Sequence, residues 1–144
     1  MRYILDCSVA VKWFVPEVDS DKADACLVAE EAGELTFVAP DVLVPELGHT
    51  LRRHVIRGNL TRDDADRSLA EFLLLRTELH PSGALSRDAL RLALEHSGTF
   101  YDALYVALAE REDLKVVTAD ARMGTAFKPL GRMVSLATLE LAQS

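Results

Sequence analysis

Four acidic side chains stand where alternating strands and helices would carry them to one place: Asp6, Glu46, Asp102 and Asp120. Asp6 and Asp120 each follow a short apolar run, Tyr3-Ile4-Leu5 and Lys115-Val116-Val117-Thr118. Ligands of an open parallel sheet bind in the crevice at the carboxyl ends of its strands, so two neighbouring strands ending this way set two carboxylates on one edge. Glu46 falls one turn into a helix entered from another strand. Asp102 falls in the first turn of an otherwise apolar helix and is the only charged side chain between Ser97 and Glu110. It therefore faces a polar cleft or carries a desolvation penalty. Carboxylates crowded together repel one another unless a cation is present. Hard oxygen donors without a histidine or cysteine cluster suit Mg²⁺ or Mn²⁺ rather than zinc. One such ion, or a pair roughly 4 Å apart, would activate water and clamp a phosphodiester in line. Ser8 and Thr118, each two residues from an aspartate, are placed to hydrogen-bond a carboxylate or a water held by the ion.

Each acid also has a plainer reading. Asp6 and Asp120 are ordinary residues for a loop after a strand, and Asp120 is a candidate N-cap. Asp102 completes Thr99-x-x-Asp102, a capping-box-like start. Glu46 suits the N-terminal turn of a solvated helix. Composition and spacing leave these alternatives open.

The elements that would position the acids follow from periodicity. Tyr3–Leu5 reads as a buried strand, and 8–14 as a helical turn stopped by Pro16. A helix from Ser20 to Gly33 carries Ala23, Cys26, Leu27 and Glu30 on its inner side. Leu35–Ala39 is a second strand, closed by Pro40. The next helix has Asp41 as candidate N-cap and Val44, Leu47, Leu51 and Val55 on one face, ending at Gly58. Thr61-x-x-Asp64 opens another helix that runs to Arg76, and His80-Pro81-Ser82-Gly83 breaks the chain. Ser86–His96 is helical with Leu90, Ala93 and Leu94 as its buried stripe. Phe100–Glu110 is apolar nearly all round, which predicts a central helix covered on several sides. A strand at Lys115–Thr118, a short helix from Ala121, a weak strand near Met133-Val134 and a final helix from Leu136 complete the order. Strands separated by helices imply a parallel sheet with helices on both faces, one α/β domain over residues 1–144.

The bulk properties limit the function classes. No apolar run approaches the ~20 residues that span a bilayer, and the first residues enter a strand without an apolar leader, so a soluble, cytoplasmic protein without membrane contact is expected. Cys7 and Cys26 have neither the number nor the spacing of a disulfide framework or zinc site. With 23 acidic against 16 basic residues, the net charge is −7. A chain this acidic grips a polyanion only where a bound cation or a local basic patch reverses the field. Arg52, Arg53 and Arg57 form such a patch, either a solvated helix face or an RNA-backbone contact beside the acids. Glu46-x-x-His49 has the i, i+3 spacing of di-iron bundles, but the second pair they need is absent. Cys7 lacks an evident histidine partner, and Asp6-Cys7-Ser8 lacks the Asp-x-Asp of phosphatases that form an aspartyl-phosphate.

Read together, Ile4-Leu5-Asp6-Cys7-Ser8, Pro40-Asp41-Val42-Leu43-Val44-Pro45-Glu46, Tyr101-Asp102-Ala103-Leu104-Tyr105-Val106-Ala107-Leu108-Ala109 and Val117-Thr118-Ala119-Asp120-Ala121-Arg122 resemble, in that order, the PIN-domain family, specifically the VapC-type toxins of toxin–antitoxin pairs. The resemblance covers nearly the whole chain, including Val9–Glu17; Cys7 departs from it mildly, where threonine or another small residue is common. It implies a PIN-like three-layer α/β/α fold with a central parallel sheet, and a homodimer. It also implies RNA cleavage that depends on Mg²⁺ or Mn²⁺, with Asp6, Glu46, Asp102 and Asp120 as catalytic and metal-binding acids and Ser8 and Thr118 in support. The implied partner is a VapB-type antitoxin whose tail occupies the toxin's groove. A non-catalytic PIN-like binding module is the other reading.

Overall fold

The computed structural model describes residues 1–141. Its centre is a parallel sheet of five strands ordered β3-β2-β1-β4-β5, with β1 at Arg2–Leu5, β2 at Thr36–Pro40, β3 at Glu78–His80, β4 at Val116–Thr118 and β5 at Met133–Ser135. The chain lays β2 and β3 outward on one side of β1, then returns to lay β4 and β5 on the other. The order therefore reverses between β1 and β4, which pair through Ile4 with Val116 and Leu5 with Val117. That reversal opens a crevice at the carboxyl edge. Strands β1, β2 and β4 are apolar because helices cover both faces in three α/β/α layers.

Among the described residues seven helices surround the sheet: α1 (Cys7–Ala10, continued by a 3-10 turn to Trp13), α2 (Ser20–Glu31), α3 (Leu43–Ile56), α4 (Arg62–Leu73), α5 (Ser86–Glu95), α6 (Phe100–Glu112) and α7 (Ala121–Ala126). Helix α6 lies on β1, β2 and β4 and beneath α5, so every residue from Ala103 to Ala109 is buried, as the all-round apolar pattern predicts. Thr99 starts it by accepting from the Asp102 N–H at 3.0 Å. The loop before it passes close to Phe127: a Cβ on Gly98 would lie 2.2 Å from that ring, so only glycine fits without displacement.

Several local expectations are corrected. Asp41 does not cap α3. Its carboxylate accepts from the Ser82 N–H at 3.0 Å while Ser82 Oγ accepts from the Val42 N–H, tying the β2–α3 loop to the segment after β3. Strand β3 is absent from the periodicity reading because Glu78-Leu79-His80 has one apolar residue. It is an edge strand formed by backbone pairing to Val38–Pro40. Helix α4 ends at Leu73 rather than Arg76. The final helix is a single 3-10 turn, Leu136–Thr138, and the last part of that expectation lies outside the described residues.

The largest correction is the rotation of α5. Leu90 and Leu94 are 52% and 80% exposed, whereas Ala89 and Leu92 are buried and Ala93 is partly covered. The run Ala89-Leu90-Arg91-Leu92-Ala93-Leu94 carries two overlapping apolar stripes, and periodicity alone does not choose between them. The 3-10 turn Ser82–Leu85 buries Leu85 and enters α5 at an angle that turns Ala89 and Leu92 onto α6. The two leucines should thus differ sharply on truncation. Leu92→Ala is expected to lose about 2–5 kcal/mol in urea unfolding, and Leu94→Ala to stay within about 0.5 kcal/mol of wild type. Equal losses would mean the helix is rotated the other way.

Candidate active site

The four acids come from four separate elements and line one cleft of about 920 Å³ at the carboxyl edge of the sheet. Asp6 is the first residue after β1 and Asp120 the second after β4, on the two strands that flank the reversal. Glu46 lies in the first turn of α3 and Asp102 in the first turn of α6.

Hydroxyl groups hold these carboxylates in place. Asp6 is buried, and its Oδ2 accepts from Ser8 Oγ at 2.5 Å and Thr118 Oγ1 at 2.8 Å. The same two hydroxyls accept from the next backbone turn: Ala119 N–H to Ser8 Oγ at 2.9 Å and Asp120 N–H to Thr118 Oγ1 at 3.0 Å. Ser8 and Thr118 thus join the Asp6 carboxylate to the loop carrying Asp120. Asp120 itself caps α7, its Oδ1 accepting from the Arg122 and Met123 N–H groups at 2.9 and 3.3 Å, so the capping role and the cleft position coexist. Glu46 Oε1 accepts from the Tyr105 hydroxyl at 2.6 Å. Tyr105, buried on α6 one turn after Asp102, escapes the sequence reading because an aromatic in an apolar helix looks like core; the spacing Asp102-x-x-Tyr105 was the available signal.

Asp6, Asp102 and Glu46 all resist ionisation. Burial is the largest cause for each: it raises Asp6 above its ordinary 3.8 against the hydrogen bonds of Ser8 and Thr118, with the Asp120 charge adding to the rise. Glu46 rises from 4.5 to about 7, through burial and then the charges of Asp6 and Asp102, against the Tyr105 bond. Asp102 rises from 3.8 to about 6, through burial and the charges of Asp6 and Asp120. Among the described residues no three histidine, cysteine or carboxylate side chains converge tightly enough to enclose a cation. One oxygen each of Asp6, Glu46 and Asp120 is turned onto a protein donor instead. The donor set, four carboxylates with hydroxyl support and no thiolate or imidazole among them, is chemically that of a hard divalent cation.

A model of the PIN domain matches residues 3–127. The chain belongs to the PIN domain family. It is 33% identical over 132 residues to "Ribonuclease VapC3" of Pyrobaculum aerophilum, covering 90% of this chain and 98% of that protein. Its fold superposes on the crystal structure of PAE2754 from Pyrobaculum aerophilum with a TM-score of 0.71 at 24% identity, covering 96% and 94% of the two chains. A toxin–antitoxin complex from Klebsiella pneumoniae gives a TM-score of 0.65 at 13% identity, covering 93% and 97%. These two are likenesses of fold.

In this PIN domain the wall formed by α3 carries basic side chains, while a fifth carboxylate, Glu17, lies across the cleft 3.9 Å from Lys12. His49 and Arg53 follow Glu46 at helical spacing along one face of α3 and Arg57 continues that spacing at its C-cap, with His54 beside them and Lys12 opposite, on the 3-10 turn after α1. Arg53 is in the cleft wall as expected; Arg52 points off that face and does not line the cleft. Arg57, part of the basic segment read from the sequence, lines the cleft with Arg53. Lys12, His49 and His54 were not singled out as cleft residues from the sequence, although the i, i+3, i+7 and i+11 spacing from Glu46 through Arg53 and Arg57 carries the signal for His49. Burial and the neighbouring Asp6 and Glu46 push the Cys7 thiol up, which removes it as a nucleophile near neutral pH. Among the described residues no helix is long and apolar enough to cross a membrane.

The raised carboxyls give a pH dependence of definite sign. A carboxyl with a higher pKa folded than unfolded binds its proton more tightly in the folded state, so stability falls as pH rises between the two values. For Glu46 and Asp102 that window runs from their ordinary values, 4.5 and 3.8, to about 7 and 6. Metal-free protein should therefore melt at a lower temperature at pH 8 than at pH 5. Glu46→Gln and Asp102→Asn should each raise the pH 8 melting temperature and flatten the profile. Scanning calorimetry decides it, and a profile that rises with pH contradicts the crowding of these groups.

Proposed function

We propose that this protein is a ribonuclease toxin of a toxin–antitoxin pair: a metal-dependent endoribonuclease, acting as one PIN-like domain and restrained by a VapB-type antitoxin. The observation that carries the reading is the meeting of Asp6, Glu46, Asp102 and Asp120, from four elements, in one cleft at the β1/β4 reversal. The ribonuclease name of its 33% identical relative and the toxin–antitoxin complex among its structural neighbours support it. The four acids would hold Mg²⁺ or Mn²⁺; when bound, such an ion supplies a Lewis acid that lowers the pKa of water and neutralises charge on the phosphate.

The chain's own residues supply the rest. Ser8 and Thr118 keep the buried Asp6 carboxylate in place, and Tyr105 orients Glu46. Arg53 and Arg57 offer guanidinium donors to phosphates of the strand next to the acids, which answers the problem of a chain with net charge −7 holding a polyanion. Water adds to phosphorus as the P–O3′ bond breaks, leaving a 5′-phosphate and a 3′-hydroxyl. The RNA 2′-hydroxyl takes no part. A homodimer and a cytoplasmic location complete the proposal.

The competing reading is a non-catalytic PIN-like module, favoured by the carboxylates' being turned onto protein donors rather than around a common point. Expression without antitoxin separates the two. The ribonuclease arrests growth and Asp102→Asn relieves the arrest; purified protein cleaves RNA with Mg²⁺ or Mn²⁺ and is silent in EDTA. An Asp102→Asn variant that stays toxic and active rules out the assigned site. Tyr105→Phe and Thr118→Val, which remove only the supporting hydroxyls, should lower activity or metal affinity about 10–100-fold. Arg53→Glu should raise KM far more than it lowers kcat, an effect that shrinks with added salt.

A further inference from the structure

A second cavity, of about 530 Å³, opens on the other side of Asp120. It shares Ala119 and Asp120 with the acidic cleft, and its remaining wall comes from β4, α7, β5 and the turns between them. In a sheet ordered β1-β4-β5 the cleft lies over the β1 side of β4 and this bowl over the β5 side, so the two meet at the Asp120 loop. We infer that the bowl is a nucleotide subsite: it receives the RNA nucleotide that leaves the acidic cleft past Asp120, on the side of the scissile phosphate opposite the Arg53–Arg57 wall. This rests on the ribonuclease reading.

The chemistry of the bowl suits that occupant. A strand cleaved in its interior continues in both directions from the reacting phosphate, and the arginine wall serves one direction only. The volume lies within the roughly 300–1,000 Å³ of small-ligand sites. Met133 and Ala121 offer apolar surface to a sugar or base, and Thr125 and Ser135 bring hydroxyls. Lys128 stands on the rim, exposed and with no carboxylate within salt-bridge distance among the described residues, so its ammonium is available to a phosphate. Gly124, in α7, leaves the floor open: a Cβ there would meet nothing within 4 Å.

That last point gives a variant that fills the site without harming the fold. Gly124→Leu places bulk in open space and replaces glycine in a helix by a better helix former, so its melting temperature should equal or exceed wild type. Its kcat/KM on a single-stranded oligoribonucleotide that the wild type cleaves should nonetheless fall about tenfold, mostly through KM. Lys128→Gln tests the same site at an exposed position that cannot unfold the protein. In an Asp102→Asn background, which leaves the labelled oligonucleotide intact, it should weaken binding and reduce the slope of log affinity against log salt by about 0.7, one phosphate contact on a single strand. Wild-type kinetics and affinity in both variants would overturn the subsite, as would normal RNA cleavage with loss of antitoxin binding, which would make the bowl a protein contact. If the wild type cleaves no RNA under any metal condition, the ribonuclease reading itself fails and the subsite falls with it.

Discussion

Like charges brought together in a partly dry place are the constraint on which this molecule is built. Four carboxylates share one edge of the sheet, and Asp6, Glu46 and Asp102 are harder to ionise there than in water because burial and mutual repulsion act in the same direction. Such a cluster is not a source of stability. It persists because the surrounding fold is over-determined: two strands paired in fixed register, a helix start capped by Thr99, a second helix start capped by Asp120 itself, and a buried tyrosine hydroxyl on Glu46. A core of large apolar side chains, including Phe37, Tyr105 and Phe127, holds those elements rigidly enough to carry the load. Destabilised sites of this kind are where function commonly resides.

The hydroxyls of Ser8 and Thr118 each donate to Asp6 and accept from the backbone of the Asp120 loop. A donor alone would fix one carboxylate; a group that does both fixes the separation between two elements. The β1 and β4 ends are thereby locked across the reversal, at the one edge where the sheet leaves room for a ligand. The charge distribution follows the same geometry. The four acids occupy the strand ends and helix starts, while Arg53 and Arg57 follow Glu46 along and just past α3, so an acidic protein presents basic side chains next to its acidic centre.

Much of the fold was legible because hydrophobic period and strand–helix alternation are local properties. The α6 pattern from Phe100 to Glu110 required burial on all sides, and the Thr61 and Thr99 caps are visible as motifs. What failed did so for local ambiguity. Two apolar stripes coexist in α5, and the choice between them rests on how the turn before it meets α6. Strand β3 has no amphipathic signal because its formation comes from pairing with β2. Asp41 looks like a cap, but a contact with Ser82, 41 residues away, claims its carboxylate.

The amino-acid order by itself determined the α/β class and the family, and it set four acids at element ends that the fold brings into one cleft, because residue types at element ends leave a mark on the linear chain. Only the tertiary structure decided that Arg53 and Arg57 face the cleft and Arg52 does not, that Tyr105 grips Glu46, and that a second bowl adjoins Asp120. These depend on helix rotation and on which strand ends are neighbours. Both are set by packing among residues far apart in the chain, where a small turn of a helix exchanges one side chain for the next.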